Sequence, residues 1–122
     1  MSQDIVADAL NQIMNAKKAR KEEVIIKKHS KLLIVILDIM KKLNYLEYKM
    51  DKNITIKIKG INECKSIKPR LNVSVDEIER YVRRFLPARN FGYIIISTNK
   101  GLMTHEEAVE NKIGGSLIAY VF

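Results

Sequence analysis

Apolar residues follow two different periods in the first sixty positions of the chain. Between 5 and 14 they recur at helical spacing, which predicts a first helix with Ser2 or Asp4 as its N-cap. Val24–Ile26 is short and β-branched, as strands commonly are. Ser30 is a candidate N-cap for a second helix, whose apolar face is so broad that we expect most of the helix to be buried.

Apolar and polar residues alternate strictly after the second helix. Residues 46–50 and 54–59, on either side of the polar break 51–53, predict a hairpin whose isoleucines face the core. With the first strand, this hairpin predicts a three-stranded sheet that two helices cover on one face.

Both periods fade between Gly60 and Pro69, where glycine, asparagine and proline interrupt the pattern. We therefore predict two domains, an amino-terminal α/β domain at 1–65 and a carboxyl-terminal domain at 66–122. The predicted fold class is α+β, with two small α/β domains.

The second half of the chain begins with a helix signal. Ser74 and Glu77 have the spacing of a capping box, and Pro87 ends the helix that they predict. Residues 93–96 are apolar at both parities, which predicts a central strand at 91–96, and 116–122 predict a last strand. We expect a mainly antiparallel sheet with one or two helices.

A short polar stretch separates the central strand from another helix start. Thr104 and Glu107 again have capping-box spacing, so we expect a rigid loop between a strand and a helix. Its two hydroxyls, amide, cation and glycine suit ribose hydroxyls, phosphate oxygens and unstacked bases. Taken alone, the stretch could also be a simple strand-to-helix connection. The loop residues are Ser97, Thr98, Asn99, Lys100 and Gly101.

Composition suggests the kind of partner. The 122 residues are 47% apolar, carry a net charge of +8 and have a pI near 9.6, which favours nucleic acid or an anionic membrane surface over a merely basic soluble protein. The densest basic segment has seven Lys or Arg between Lys17 and Lys31 against two glutamates. We expect it, including Lys28, to contact phosphates; a solvated face is the alternative.

The sequence also indicates where the protein works. No apolar run approaches the roughly 20 residues that cross a bilayer, and the amino terminus lacks the order of a signal peptide. We therefore expect a cytoplasmic protein with no membrane partner. The single cysteine, Cys64, cannot form an internal disulfide, which agrees with a reducing compartment.

Searches for catalytic chemistry fail. Cys64 has no histidine near it in sequence and is better explained as a buried structural thiol. His105 begins a pattern similar to a zinc-protease helix, but Val109 stands where the second histidine would be. His29 is better explained as a surface residue than as a ligand, and no phosphate-binding glycine loop is present. We therefore predict neither an enzyme nor a metal or cofactor site.

Residues 95–108, the glycine pair 114–115 and the end of the chain at 117–122 together form a specific set of motifs. This set closely resembles the carboxyl-terminal signature of the universal small-subunit ribosomal protein S-eight family. Residues 4–13 resemble the family's first helix, and residues 30–32 resemble the entry of its second helix. The segments 67–70 and 86–92, and the inserted helix from Val75, resemble its archaeal and eukaryotic branch.

The resemblance implies a structural, non-enzymatic protein of the cytoplasmic ribosome that binds the central domain of small-subunit ribosomal RNA early in assembly. Neighbouring small-subunit ribosomal proteins would be its other partners, with no small-molecule substrate. The resemblance assigns to residues 97–101 a contact with an irregular region of an RNA helix, and to Ser30 and Lys31 an approach to RNA from the amino-terminal domain. The alternative is a stand-alone RNA-binding or translational regulatory protein that recognises a similar RNA helix.

Two positions depart from the family pattern. Ser116 stands where bacterial members commonly have an acidic residue, so a contact there is not carried over. Asn44 precedes Tyr45 in place of the usual glycine, which we expect to affect mainly the turn after the second helix.

Overall fold

The computed structural model describes residues 5–28, 30–88 and 91–122, with Pro69 described by its backbone only. The chain divides into two compact units, Met1–Cys64 and Lys65–Phe122. Independent folding of the two predicted domains stays a prediction. The suggested caps Ser2 and Asp4, and His29, lie outside the described residues.

In the part of the first unit that the structure describes, two helices and three strands follow one another in the predicted order. They are α1 (Ile5–Lys18), β1 (Glu23–Ile26), α2 (Lys31–Lys42), β2 (Leu46–Met50) and β3 (Ile54–Ile58). The strands form an antiparallel sheet in the order β1-β3-β2. Ile54 and Ile56 are fully buried, while Lys57 is exposed, as their alternation predicts.

A side chain caps the amino-terminal end of α2, and backbone hydrogen bonds cap its carboxyl-terminal end. Ser30 Oγ accepts a hydrogen bond from Leu33 N at 3.2 Å, which confirms the predicted N-cap. At the other end, Tyr45 N donates to Met40 O and Asn44 adopts φ +65°. This is the Schellman arrangement, and asparagine is among the few non-glycine residues that tolerate it. The turn therefore forms without the family's glycine.

Among its described residues, the second unit contains a four-stranded sheet, two α-helices and one 3₁₀ turn. Its elements are β4 (Cys64–Val73), the 3₁₀ turn Val75–Glu77, α3 (Ile78–Phe85), β5 (Tyr93–Thr98), β6 (Gly101–Thr104), α4 (His105–Glu110) and β7 (Gly115–Val121). The strand order is β4-β7-β5-β6, and β5 pairs antiparallel with both of its neighbours. The predicted α+β class and the predicted sheets are confirmed.

Two strands were not predicted. β4 begins within the segment 60–69, where the sequence shows no periodic pattern. Pro69 interrupts the pattern there, and the burial of the residues along β4 does not alternate strictly. β4 lies at the edge of the sheet, which is where a strand tolerates proline. β6 has only four residues and begins with Gly101, so it was too short to show alternation.

The helices of the second unit begin and end as predicted. Ser74 N donates to Glu77 Oε1 at 3.1 Å, which caps the turn that leads into α3. Leu86 is extended immediately before Pro87, so the helix ends there. One face of the sheet packs against α3 and α4. The buried residues of this core are Ile67, Val73, Ile78, Val82, Leu86, Ile94, Ile96, Ala108 and Leu117.

Candidate nucleic-acid interface

The predicted polar loop is a tight β-hairpin. Ser97 and Thr98 are the last residues of β5, Gly101 is the first of β6, and only Asn99 and Lys100 connect them. In the register, Thr98 lies opposite Gly101. The expectation of a loop leading directly from a strand into a helix is therefore wrong, because a two-residue turn returns the chain along β5 before α4 begins. The five loop residues are nevertheless close together at one end of the sheet.

Thr98 stabilises the turn with its own hydroxyl. Its Oγ1 donates to Gly101 O at 2.8 Å and accepts from Lys100 N at 3.1 Å. Side-chain bonds of this kind are a common way for threonine to close a turn. The donor of the Thr98 hydroxyl is therefore used within the protein, and Thr98 contributes mainly to holding the other turn residues in place.

Gly101 gives the hairpin its backbone geometry. Its φ is +112°, whereas Asn99 and Lys100 do not have positive φ. A turn followed by a glycine of positive φ is a standard hairpin connection. A Cβ placed on Gly101 would meet nothing within 4 Å, so glycine is needed here for its φ and the surface around it is open.

Ser97 presents the unused hydroxyl of the hairpin. It is half-buried, and within the described residues its Oγ makes no hydrogen bond. In the sheet it lies opposite Ser116 of β7, whose Oγ donates to Asn72 Oδ1 on β4. Asn72, Ser116 and Ser97 thus form a polar row across three adjacent strands. Asn72 was not among the predicted site residues, because β4 was not predicted from the sequence.

The glycine pair lets β7 approach its neighbours closely. A Cβ on Gly115 would stand 2.2 Å from Ser97 O, and one on Gly114 would stand 2.4 Å from Val73 O. Real Cβ atoms essentially never come this close to another atom. The pair therefore does more than interrupt the chain: Gly115 is part of β7 and allows the backbone of Ser97 to pack beside it.

The helix that follows the hairpin begins as predicted. Thr104 Oγ1 accepts from Glu107 N at 3.3 Å and donates to Glu107 Oε1 at 3.2 Å. Thr104 is buried and ends β6, so one residue terminates the strand and caps α4. The hairpin is thereby anchored at its far end.

The other predicted RNA-binding residues lie in the first unit. Lys31 is the first residue of α2 and is exposed, and Lys28 is also exposed. Ser30 lies beside them, but its Oγ already caps α2. These residues form a basic helix entry, where the partial positive charge of a helix start adds to that of the lysines. They and the hairpin residues belong to different units.

The described residues offer little for other chemistry. The Cys64 thiol is buried, and burial, with a smaller contribution from the Glu63 carboxylate, raises its pKa to about 12. Across 5–28, 30–88 and 91–122, no three or more His, Cys, Asp or Glu side chains are grouped so as to hold a metal ion. In the same ranges, no helix has the length and apolar character needed to cross a membrane.

Comparison with known proteins identifies the family. The family model described as "Ribosomal protein S8" matches residues 4–122. The small ribosomal subunit protein uS8 of the archaeon Nanoarchaeum equitans is 43% identical, with all of both chains covered. The uS8B protein of Candida albicans is 41% identical and uS8A of Saccharomyces cerevisiae 40% identical, each over 97% of this chain and 96% of the relative. The resemblance to an archaeal and eukaryotic branch is confirmed by these relatives.

Family membership also confirms the broad functional predictions. Proteins of this family are structural components of the ribosome in the cytoplasm and not enzymes. The match includes both units and the whole hairpin. The chain therefore belongs to the ribosomal protein S8 family and is a structural constituent of the small ribosomal subunit.

Proposed function

We propose that this protein binds and organises the central domain of small-subunit ribosomal RNA during assembly, with the β5–β6 hairpin as the element that recognises the RNA. Its other partners would be neighbouring proteins of the small subunit. The observation that carries the proposal is the Ser97 hydroxyl, which is half-exposed and makes no hydrogen bond within the described residues. It lies beside the exposed side chains of Asn99 and Lys100 on a rigid turn.

The hairpin combines the groups that RNA recognition requires. A hydroxyl and an amide both donate and accept hydrogen bonds, so Ser97 and Asn99 can pair with ribose hydroxyls and with the edges of unstacked bases. Lys100 supplies a cation for a phosphate. Because Thr98 and Gly101 hold the turn, these groups are positioned before binding, and less conformational entropy is lost when RNA binds.

The basic helix entry has a different role in this proposal. Lys28 and Lys31 carry charge but no fixed pattern of donors and acceptors, so they contribute salt-dependent affinity with little selectivity. Ser30 orders α2 behind them through its cap. The hairpin supplies register and shape recognition, and the lysines supply non-selective attraction.

A titration with RNA tests the hairpin assignment. The probe is a labelled RNA helix with its irregular internal region, transcribed from the central domain of the small-subunit ribosomal RNA. Ser97→Ala should weaken binding by roughly fivefold, because one hydrogen bond to RNA is lost, and should leave the salt dependence unchanged. Thr55→Ala, which removes a half-buried hydroxyl from the other unit, is the matched control. Equal affinities of the two variants would show that Ser97 does not contact RNA.

The salt dependence tests the lysines. Replacing Lys28 and Lys31 by glutamine should lower the slope of log K against log salt by about one for each phosphate that a lysine no longer neutralises. Lys49→Gln and Lys52→Gln together make the same change in charge on the β2–β3 hairpin and its turn. An equal decrease of slope in both double variants would mean that only net charge matters. Co-sedimentation with small subunits at high salt distinguishes the ribosomal role from a stand-alone regulatory one.

A further inference from the structure

Five aromatic side chains of the second unit form a continuous row, which we call the aromatic row. Successive ring centroids are 6.3, 5.6, 6.1 and 6.1 Å apart. The row runs through Tyr81, Phe85, Tyr120, Phe122 and Phe91. It combines residues of α3, of the end of β7 and the position after it, and of the segment before β5, which are distant in sequence but adjacent in the fold.

The row lies at the surface of the core and is not enclosed by it. Its first four rings are half-buried and pack against the buried cluster below them. Phe91, the last ring, is 48% exposed, and within the described residues its one ring contact is with Phe122. Single exposed apolar residues are common, but this one continues a connected row of rings, so the row presents an open aromatic face at its end.

A positive charge borders the row. The guanidinium carbon of Arg84 lies 5.5 Å from the centre of the Phe85 ring, in a cation–π arrangement. Helical spacing places Arg84 one turn from Tyr81, so Arg84 borders the row, whereas the neighbouring Arg80 lies close enough to the Glu77 carboxylate to help lower the pKa of that group. The acidic residue of α3, Glu79, pairs with Arg83 at 3.7 Å, on the part of the helix away from the row.

We propose that the aromatic row is a second RNA-contact surface, on which an unpaired base stacks against Phe91 while Arg84 binds a phosphate at the other end. Aromatic rings and guanidinium planes are the two side-chain surfaces on which splayed-out bases stack, and a positive border attracts the RNA backbone. The inner rings already stack on one another, so the exposed end ring is the place for a base. The inference rests on the proposed RNA-binding function but not on the hairpin.

The protein contains no tryptophan, so Phe91→Trp introduces a single fluorescent reporter at the end of the row. Titration of the full-length variant with a labelled single-stranded oligoadenylate should quench the indole fluorescence, with the same midpoint as the anisotropy of the labelled RNA. Phe91→Leu should weaken binding about tenfold, because stacking on an aliphatic side chain is poor. The melting temperature of Phe91→Leu shows whether the substitution leaves the fold intact.

Two arginine variants separate position from charge. Arg84→Gln should weaken oligoadenylate binding several-fold, whereas Arg83→Gln, on the same helix but paired with Glu79, should weaken it about twofold or less. Equal effects would overturn the role of Arg84. Absence of oligoadenylate binding, or binding without quenching, would overturn the proposal. Quenching only on addition of other ribosomal proteins would also overturn it, since the row would then be a protein contact.

The hairpin variant keeps this proposal separate from the previous one. Ser97→Ala combined with Phe91→Trp should show the same quenching by oligoadenylate as Phe91→Trp alone. If the irregular ribosomal RNA helix fails to bind while oligoadenylate still quenches, then the hairpin assignment fails and the aromatic row stands. If the helix binds and the oligoadenylate does not, the reverse is true.

Discussion

His105 Nδ1 accepts a hydrogen bond from the backbone N–H of Ile94, with 3.1 Å between the two nitrogens. Thr104 pairs with Ile95 at the end of β6, so His105 is the next position opposite Ile94, where the backbone already turns into α4. The imidazole therefore accepts the hydrogen bond from Ile94 that a backbone carbonyl would accept if β6 continued by further residues. Since Nδ1 accepts, the proton of the neutral ring lies on Nε2.

This bond makes the stability of the protein depend on pH. Burial lowers the pKa of His105, and the nearby Glu106 carboxylate only partly opposes this effect. At acidic pH the unfolded chain therefore binds a proton that the folded chain excludes, and the free energy of unfolding falls as pH falls below about 6.5. The decline approaches at most about 1.4 kcal/mol per pH unit.

Urea unfolding of the wild type and of His105→Asn between pH 8 and pH 5 measures this dependence. Asparagine keeps an acceptor near Ile94 but does not titrate. The difference in unfolding free energy between the two proteins should shrink or change sign as pH falls, and contributions of the other histidine cancel in it. A constant difference across this range would show that protonation of His105 does not affect stability.

The sequence allowed prediction of those features that depend on nearby residues. The helices, the β2–β3 hairpin and the caps at Ser30, Ser74 and Thr104 all follow from spacings of a few positions. The hydrogen bond from Ser116 to Asn72 joins residues 44 positions apart. Asn72 lies on β4, which was not predicted because Pro69 interrupts its pattern. Pairings of this kind depend on strand order, which local periods do not contain.

The hairpin surface illustrates the same limit. The sequence indicated residues 97–101 as one polar stretch at the end of a strand, but not the separate structural roles of these residues. The predicted strand ended at residue 96, and its apolar run did not show that β5 continues through Ser97 and Thr98. Which hydroxyl is used within the turn, and which is available, depends on the positions of Gly101 O and Lys100 N.

Thr98 and Ser97 should therefore differ in their effects on stability. Thr98→Val keeps the shape of the side chain but removes both hydrogen bonds within the turn, so we expect a loss of about 1 kcal/mol in the free energy of unfolding. Ser97→Ala removes a hydroxyl that has no partner in the described residues and should change stability by less than about 0.5 kcal/mol. Urea unfolding measures both; a larger loss for Ser97→Ala would contradict this difference in hydrogen bonding.

Gly115 should be far less tolerant of alanine than Gly60. A Cβ on Gly115 would meet the backbone oxygen of Ser97 at 2.2 Å, and neither strand can move without disturbing the β5–β7 pairing. We expect Gly115→Ala to cost about 2 kcal/mol or more. Gly60→Ala, with nothing within 4 Å, should be nearly neutral and is the matched control. The midpoints of urea unfolding compare the two, and similar midpoints would show that the contact between β7 and Ser97 relaxes easily.

Cys64 should react slowly with thiol reagents while the protein is folded. Its side chain is buried, its Sγ lies 3.8 Å from Leu10 O, and burial raises the pKa of the thiol to about 12. At pH 8 few molecules carry a thiolate, and the reagent reaches it only when the first unit opens. A disulfide reagent should thus modify the native protein much more slowly than the protein in urea.

Cys64→Ala combined with Met50→Cys places the thiol at a residue that is 50% exposed and should react rapidly in the native state. Rapid native modification of Cys64 itself, at the rate of this control, would show that the thiol is accessible and that its burial contributes little protection.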